Sequence, residues 1–60
     1  MIEVGNKYIF KNINEEFEII EKINDGFKIR KNNEYGFISE FILIDFIMNG
    51  DLILVENDKT

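Results

Sequence analysis

The strongest pattern in the chain is an apolar run near its C-terminal end. Seven of the eight residues from Phe41 to Met48 are apolar, with Asp45 as the exception, and Asn49-Gly50 follows them. A short element that shows one face to water cannot hide so many apolar side chains on its other face. The run therefore predicts a surface that something must cover, either the rest of the chain or another molecule.

Residues 40–49 allow two interpretations. As a helix, they would have Ser39 as the N-cap, an acidic residue in the first turn and a glycine at the C-terminal end. As a strand, they would lead into a tight hairpin turn at Asn49-Gly50. We favour the helix, because it places Asp45 and Asn49 four residues apart on one polar face.

Alternating apolar and polar residues predict a hairpin before this run. Phe17, Ile19 and Ile23 share one parity of a strand over residues 17–23. The sequence Asn24-Asp25-Gly26 predicts a three-residue loop with its glycine in the left-handed conformation. This loop would pair Ile23 with Phe27, Glu21 with Ile29, and Ile19 with Lys31, which puts apolar residues of both strands on one face.

Shorter runs predict the remaining strands. Residues 8–10 form a first strand, and the polar turn at residues 32–34 leads into a strand at 35–38, so that residues 17–38 make a three-stranded meander. Gly36 inside that strand predicts a bulge or a sharp bend, which would let a small sheet curl. Residues 51–55 form a last strand. The chain is thus predicted to be mainly β, a curled antiparallel sheet of about five strands with one short helix at residues 40–49.

This order of elements resembles that of small SH3-like barrel proteins. The segment Val4-Gly5-Asn6-Lys7-Tyr8-Ile9-Phe10 is similar to their usual first strand. Ile38-Ser39-Glu40, a helical turn and then Gly50-Asp51-Leu52 are similar to their last connection. The resemblance spans most of the chain and implies a small SH3-like barrel. It implies a fold rather than a function, because barrels of this type have many unrelated roles.

Length and composition limit how the fold can be stabilised. Sixty residues predict one domain, 1–60, with a frayed polar tail at 57–60. Such a domain buries only about 60% of its unfolded surface. The chain has no Cys and no His, which excludes disulfides and removes the main zinc ligands. An apolar core remains, with oligomerisation as a further source of stability. We expect no metal and no cofactor.

The same composition bears on location and on catalysis. A cysteine-free chain fits a reducing cytoplasm, no signal peptide is evident, and the apolar run is much shorter than the ~20 residues of a membrane helix. The commonest general base and the best nucleophile are both missing. Ser39 fits a helix cap, and Glu18 and Glu21 would point to opposite faces of a strand. We therefore expect a soluble cytoplasmic protein that is not an enzyme and has no catalytic residues.

On a helix, the 100° step between residues sorts the apolar run. Leu43, Ile44 and Ile47 should enter the core, with Phe46 and Met48 at the boundaries. Phe41 and Ile42 flank Asp45 and should be largely exposed, which predicts a small protein-recognition patch of these three residues. The alternative is that the N-terminal residues 1–4 fold back and cover the patch.

A second candidate site is basic. The predicted hairpin would place Lys22 opposite Lys28, with Arg30 next to them on the same outer face, where the three could contact nucleic-acid phosphates. The sequence pI of about 4.5 argues against this, because nucleic-acid-binding domains usually have a pI above about 9.

Charge and composition suggest a class of function. The net charge is −5, from dispersed acidic residues, and the composition suggests an AT-rich genome. The chain resembles the small accessory proteins of bacteriophages and mobile elements, many of which modulate host proteins. The resemblance implies a non-enzymatic adaptor or inhibitor that binds a protein partner. The alternatives are a weak nucleic-acid binder and a homo-oligomeric structural module joined through residues 41–48.

Overall fold

The structure, a computed structural model, describes residues 2–57. These residues contain five strands and one helix. The elements are β1 (Asn6–Phe10), β2 (Glu15–Ile23), β3 (Gly26–Lys31), β4 (Glu34–Ser39), α1 (Glu40–Met48) and β5 (Leu52–Asn57). The predicted architecture, mainly β with one short helix, is confirmed.

All five strands pair antiparallel in one sheet with the order β4-β3-β2-β1-β5. The first four strands are neighbours in sequence and in space, whereas β5 returns to pair with the free side of β1. Helix α1 connects the two edge strands, β4 and β5, and packs against both of them and against β3. A flat sheet of five strands would hold its edges about 19 Å apart. The nine-residue helix α1 is only about 14 Å long and contacts both edge strands, so the sheet curls around it.

The core lies between the concave face of the sheet and α1. The buried apolar side chains are Tyr8, Phe17, Ile19, Phe27, Leu43 and Leu52. The ring of Phe10 bridges the two layers, with its centre 5.7 Å from that of Phe17 and 5.5 Å from that of Phe46 on the helix. Every element except β4 contributes a side chain to this buried set, and Ile38 of β4 packs against it.

A buried polar contact closes the sheet between β1 and β5. Asn6 is 4% exposed, and its Nδ2 donates to the hydroxyl of Tyr8 at 3.1 Å. Its Oδ1 accepts a hydrogen bond from Nδ2 of Asn57. Asn57 also pairs with Asn6 in the sheet. The prediction of a frayed tail at 57–60 was therefore wrong for Asn57. Residues 58–60 lie outside the described residues.

The β2–β3 hairpin differs from the predicted one. Ile23 pairs with Gly26, so the loop has two residues, and Asn24 rather than Gly26 is left-handed, with φ of 47°. The predicted three-residue loop was wrong because asparagine also tolerates this conformation. A bulge at Ile20 then restores the match of apolar residues, since Ile19 pairs with Ile29. Without this bulge, the β2–β3 pairing would be shifted by one residue, and apolar residues of β2 would share a face of the sheet with polar residues of β3.

The bulge predicted at Gly36 is also absent. The β3–β4 register is regular over its whole length, with Gly36 opposite Ile29. The register shifts within the described sheet lie at Ile20 of β2 and at Val55 of β5. Gly36 therefore does not provide the bulge that the sequence suggested.

Both ends of α1 follow the sequence signals. The Oγ of Ser39 accepts a hydrogen bond from the amide of Ile42 at 3.2 Å, which makes Ser39 the predicted N-cap. At the other end, the amide of Gly50 donates to the carbonyl of Ile47 at 3.1 Å, and that of Asp51 to Phe46 at 2.9 Å. These two bonds form a Schellman motif. The left-handed φ of Gly50, 81°, is what the motif requires.

Replacing Gly50 by alanine should therefore destabilise the domain by about 1 kcal/mol. A Cβ at this position would meet nothing within 4 Å, so the loss would come from backbone conformation alone. Gly36→Ala is the matched control, because Gly36 has no left-handed φ and its Cβ would make an ordinary contact with Ile29 at 3.7 Å. Urea unfolding measures both, and equal losses in the two variants would contradict this assignment.

Candidate functional site

Helix α1 divides the apolar run into a core face and a solvent face. Leu43 is completely buried, and Ile44, Phe46 and Ile47 are partly buried. The prediction holds for Leu43 and Ile47, which lie in or against the core cluster, whereas Ile44 is only partly buried and lines a surface depression. The remaining side chains of the run point away from the sheet.

The solvent face of α1 forms a compact apolar surface. Phe41 is 86% exposed, Met48 80% and Ile42 52%. Phe41, Asp45 and Met48 are spaced at i, i+4 and i+7, so they form one stripe along the helix, with Ile42 beside it. We call these four residues the helix patch. It contains the three residues predicted for protein recognition, and it adds Met48, which the sequence placed at the boundary of the core.

The N-terminal segment does not cover the helix patch within the described residues. Ile2 and Val4 pack against the core cluster instead, and Phe41 keeps most of its surface in solvent. Met1 lies outside the described residues. The predicted fold-back of residues 1–4 onto the patch is therefore wrong for residues 2–4.

Two shallow depressions meet at Phe41. One is lined by Asp25, Ser39, Glu40, Phe41 and Ile44, and the other by Phe41, Ile42 and Asp45. The amide of Glu40 donates to the carbonyl of Asp25 at 3.0 Å, which holds the hairpin loop against the start of α1. Carboxylates thus border the apolar patch. Among the residues that line the two depressions, none is basic.

The predicted basic strip does not form as a group of three. Lys22 pairs with Phe27, whose ring is in the core, whereas Lys28 pairs with Glu21 and Arg30 with Glu18. Lys22 therefore lies on the opposite side of the sheet, where its Nζ is 3.8 Å from Glu40. The prediction was wrong about Lys22 because it used the three-residue loop, and a shift of one residue changes the face of every side chain.

Lys28 and Arg30 do share the outer face of the sheet, but both already have partners. Nη2 of Arg30 is 2.7 Å from Oε1 of Glu18. Hydrogen bonds from the guanidinium to Glu18 and then to Tyr35 raise the pKa of Arg30. Nζ of Lys28 lies 4.6 Å from the centre of the Tyr35 ring. The outer face therefore presents few cations that are free to bind phosphates.

The rest of the outer face is also balanced in charge. A groove crosses β1, β2 and β3, and its charged lining residues are Lys7, Glu15, Glu16, Glu18, Arg30 and Lys31. Within it, Nζ of Lys31 lies 2.7 Å from Glu15, and at its border Lys7 lies 3.3 Å from Glu56. Such ladders of exposed ion pairs contribute little stability each. They leave no strong field of either sign for a ligand.

Two exposed aromatic side chains on β4 were not predicted from the sequence. Tyr35 is 60% exposed and Phe37 57%, and they lie opposite Arg30 and Lys28 on the outer face. The signal was the aromatic pair spaced by two around Gly36. The two side chains are exposed because they point to the outer face of an edge strand. The pairing of the strands decides this, and the local sequence does not.

The other sheet edge is apolar as well. Ile53, Leu54 and Val55 of β5 are each about half exposed, at 46%, 53% and 47%. Edge strands of this kind can pair with other chains, and bulges are one of the devices that prevent it. The bulge at Val55 is such a device.

Two further findings limit the chemistry. Within residues 2–57, no three acidic side chains converge to hold a metal ion. In the same residues, no helix is long and apolar enough to cross a membrane.

Comparison with known proteins gives no match to a protein-family model, to a curated protein or to a solved structure.

Proposed function

We propose that this chain is a non-enzymatic protein-binding module, an adaptor or inhibitor, that docks its partner on the helix patch. The observation that carries the proposal is the exposure of Phe41 and Met48, 86% and 80%, on one stripe of a helix. The domain does not need these side chains for its own core, because Leu43 on the opposite side fills that role.

The energetics of exposed apolar side chains support this proposal. Fully burying a Phe or Met side chain is worth roughly 1.5–3 kcal/mol, and aromatic residues and Met are enriched in protein interfaces. An anchor of three apolar side chains is nevertheless small. It fits a transient complex at the low end of interface sizes more than a permanent one.

A second candidate function is weak binding of single-stranded nucleic acid on the outer face of β3 and β4. The observation in its favour is that Tyr35 and Phe37 are exposed beside Lys28 and Arg30, because bases stack on aromatic side chains next to cations. Glu18 and Glu21 were predicted to point to opposite faces, but the bulge at Ile20 places both carboxylates on this same face. These carboxylates and the net charge of −5 repel phosphates. Protein binding is therefore the better supported function.

We place the protein in the cytoplasm as a phage-type accessory protein that acts on a host protein, since the chain lacks Cys and its composition suggests an AT-rich genome. The resemblance to small SH3-like barrels stays a prediction, with which a curled five-stranded sheet and one short helix are compatible.

The proposal is tested by capturing partners from a lysate of the native host with the tagged protein. After chemical crosslinking, which traps transient complexes, the wild type should retain a partner, and the Phe41→Ser/Ile42→Ser variant should lose it. Tyr35→Ser is the matched control, because it removes an aromatic side chain of similar exposure from the other side of the domain. It should retain the partner.

Sedimentation equilibrium distinguishes binding of a different protein from the alternative of a homo-oligomer. We expect the purified wild type to be a monomer. A dimer that Phe41→Ser/Ile42→Ser dissociates would show that the patch binds a second copy. Retention of the lysate partner by this double variant would contradict the proposed function.

A further inference from the structure

We infer that the partner segment for the helix patch is cationic and amphipathic, with apolar side chains flanked by Lys or Arg. The inference rests on the proposed function and names the chemistry of the partner. It follows from the distribution of charge around an apolar surface, because complementary charges at the rim of an interface select the partner and speed association.

The N-terminal half of the patch is bordered by three carboxylates. Asp25 and Glu40 line the depression on one side of Phe41, and Asp45 lines the other together with Ile42. Glu40 has Lys22 as a counterion at 3.8 Å. Asp25 and Asp45 form no ion pair with any residue of the described chain. Two negative charges at the rim are therefore available to a partner.

The C-terminal half of the patch is also negative. The last turn of α1 contains no basic residue, so no side-chain cation offsets the negative end of the helix dipole. Met48, 80% exposed, lies in this turn. Asp51 lies two residues beyond the C-cap residue, Asn49. A partner that covers Met48 would gain by placing a cation at this end.

The size of the patch sets the length of the partner segment. Phe41 and Met48 are seven residues apart, which is about 10 Å along a helix. An amphipathic helix with apolar anchors at i, i+3 or i+4 and i+7 covers this distance with two turns. Lys or Arg residues beside those anchors would face Asp45 and the two ends of the patch.

The same charges disfavour a second copy as the occupant. A symmetric contact between two helix patches would bring Asp45 of one chain towards acidic residues of the other, and each chain carries a net charge of −5. Like charges placed together across an interface reduce affinity for the wrong partner. The surface thus selects a cationic occupant over another copy of the chain.

The test compares two synthetic helical peptides of about four turns with the same leucine anchors. One carries Lys and the other Glu at the flanking positions. Fluorescence anisotropy with the full-length protein at low salt should show at least tenfold tighter binding of the Lys peptide. The preference should shrink at about 0.5 M salt, where screening is strong. Phe41→Ser should weaken the Lys peptide at least tenfold, because Phe41 provides the apolar anchor.

A pair of charge variants locates the electrostatic contact. Asp45→Lys should weaken the Lys peptide by about tenfold, as expected for losing one exposed pair and gaining a like-charge contact. Glu16→Lys changes the net charge by the same amount. Glu16 is exposed and pairs with Ile9 on the outer face of the sheet, so this control should weaken binding less than twofold.

Three results would overturn the inference. If both peptides bind equally and Phe41→Ser weakens both, the patch binds proteins but does not select cations, and the proposed function stands. If Asp45→Lys and Glu16→Lys have equal effects, the Lys peptide responds only to overall charge. If neither peptide binds, the partner is not a cationic helix, and capture from the lysate then decides whether the proposed function also fails.

Discussion

Leu43→Ala should destabilise the domain by about 3 kcal/mol, within the range of roughly 2–5 kcal/mol observed for emptied leucine sites in protein cores. Leu43 is completely buried, and in α1 no other residue is. It anchors the helix to the concave face of the sheet, in the core cluster that also contains Ile19 and Phe27. A cavity there would loosen the contact between the two layers.

The loss from Leu43→Ala should be a large part of the total free energy of unfolding, because small domains are stable by only about 5 kcal/mol or somewhat more. Urea unfolding measures it, with Met48→Ala as the matched control on the same helix. Met48 is 80% exposed, so its loss should change the free energy of unfolding by less than about 0.5 kcal/mol. Similar losses in the two variants would mean that α1 does not pack through Leu43.

Gly26→Ala should have the second largest effect, a loss of about 2 kcal/mol, as is typical of overpacked sites. A Cβ on Gly26 would lie 2.2 Å from Cζ of Phe37 and 2.7 Å from the carbonyl oxygen of Ile38. The Phe37 ring is partly exposed and could move aside. The carbonyl belongs to the backbone of β4, so the two strands would have to separate.

A double variant distinguishes these two contacts. In a Phe37→Ala background the clash with the ring is gone but the carbonyl remains, so Gly26→Ala should still destabilise the domain by about 1 kcal/mol or more. Urea unfolding of the wild type, the two single variants and the double variant measures the contribution of each contact. A Gly26→Ala loss no larger than that of Gly36→Ala would show that β3 and β4 are not in close contact at this point.

Much of the fold could be predicted from local signals. The cap at Ser39, the glycine after the helix and the alternating pattern of residues 17–23 each depend on neighbours in sequence, and the structure has the helix and the strand that they indicate. The hairpin loop was off by one residue, because Asn24 and Gly26 can both be left-handed. The local pattern could not choose between them, since the bulge at Ile20 rescues the apolar register in the loop that forms.

The candidate site shows the same limit. The exposure of Phe41 and Ile42 followed from their angle to Asp45 on a helix, which is a local property. The grouping of Lys22 with Lys28 failed because it required the register of two strands. The exposed pair on β4 was missed because its exposure depends on which strand lies at the edge of the sheet.

We claim that the helix patch is an interface and not part of the core, and the free energy of unfolding of the Phe41→Ser/Ile42→Ser variant decides this. Phe41 and Ile42 are 86% and 52% exposed, so we expect a change within about 1 kcal/mol of wild type. A loss of several kcal/mol, comparable to that of Leu43→Ala, is typical of emptied core sites and would contradict the claim, because the apolar run would then be a buried element.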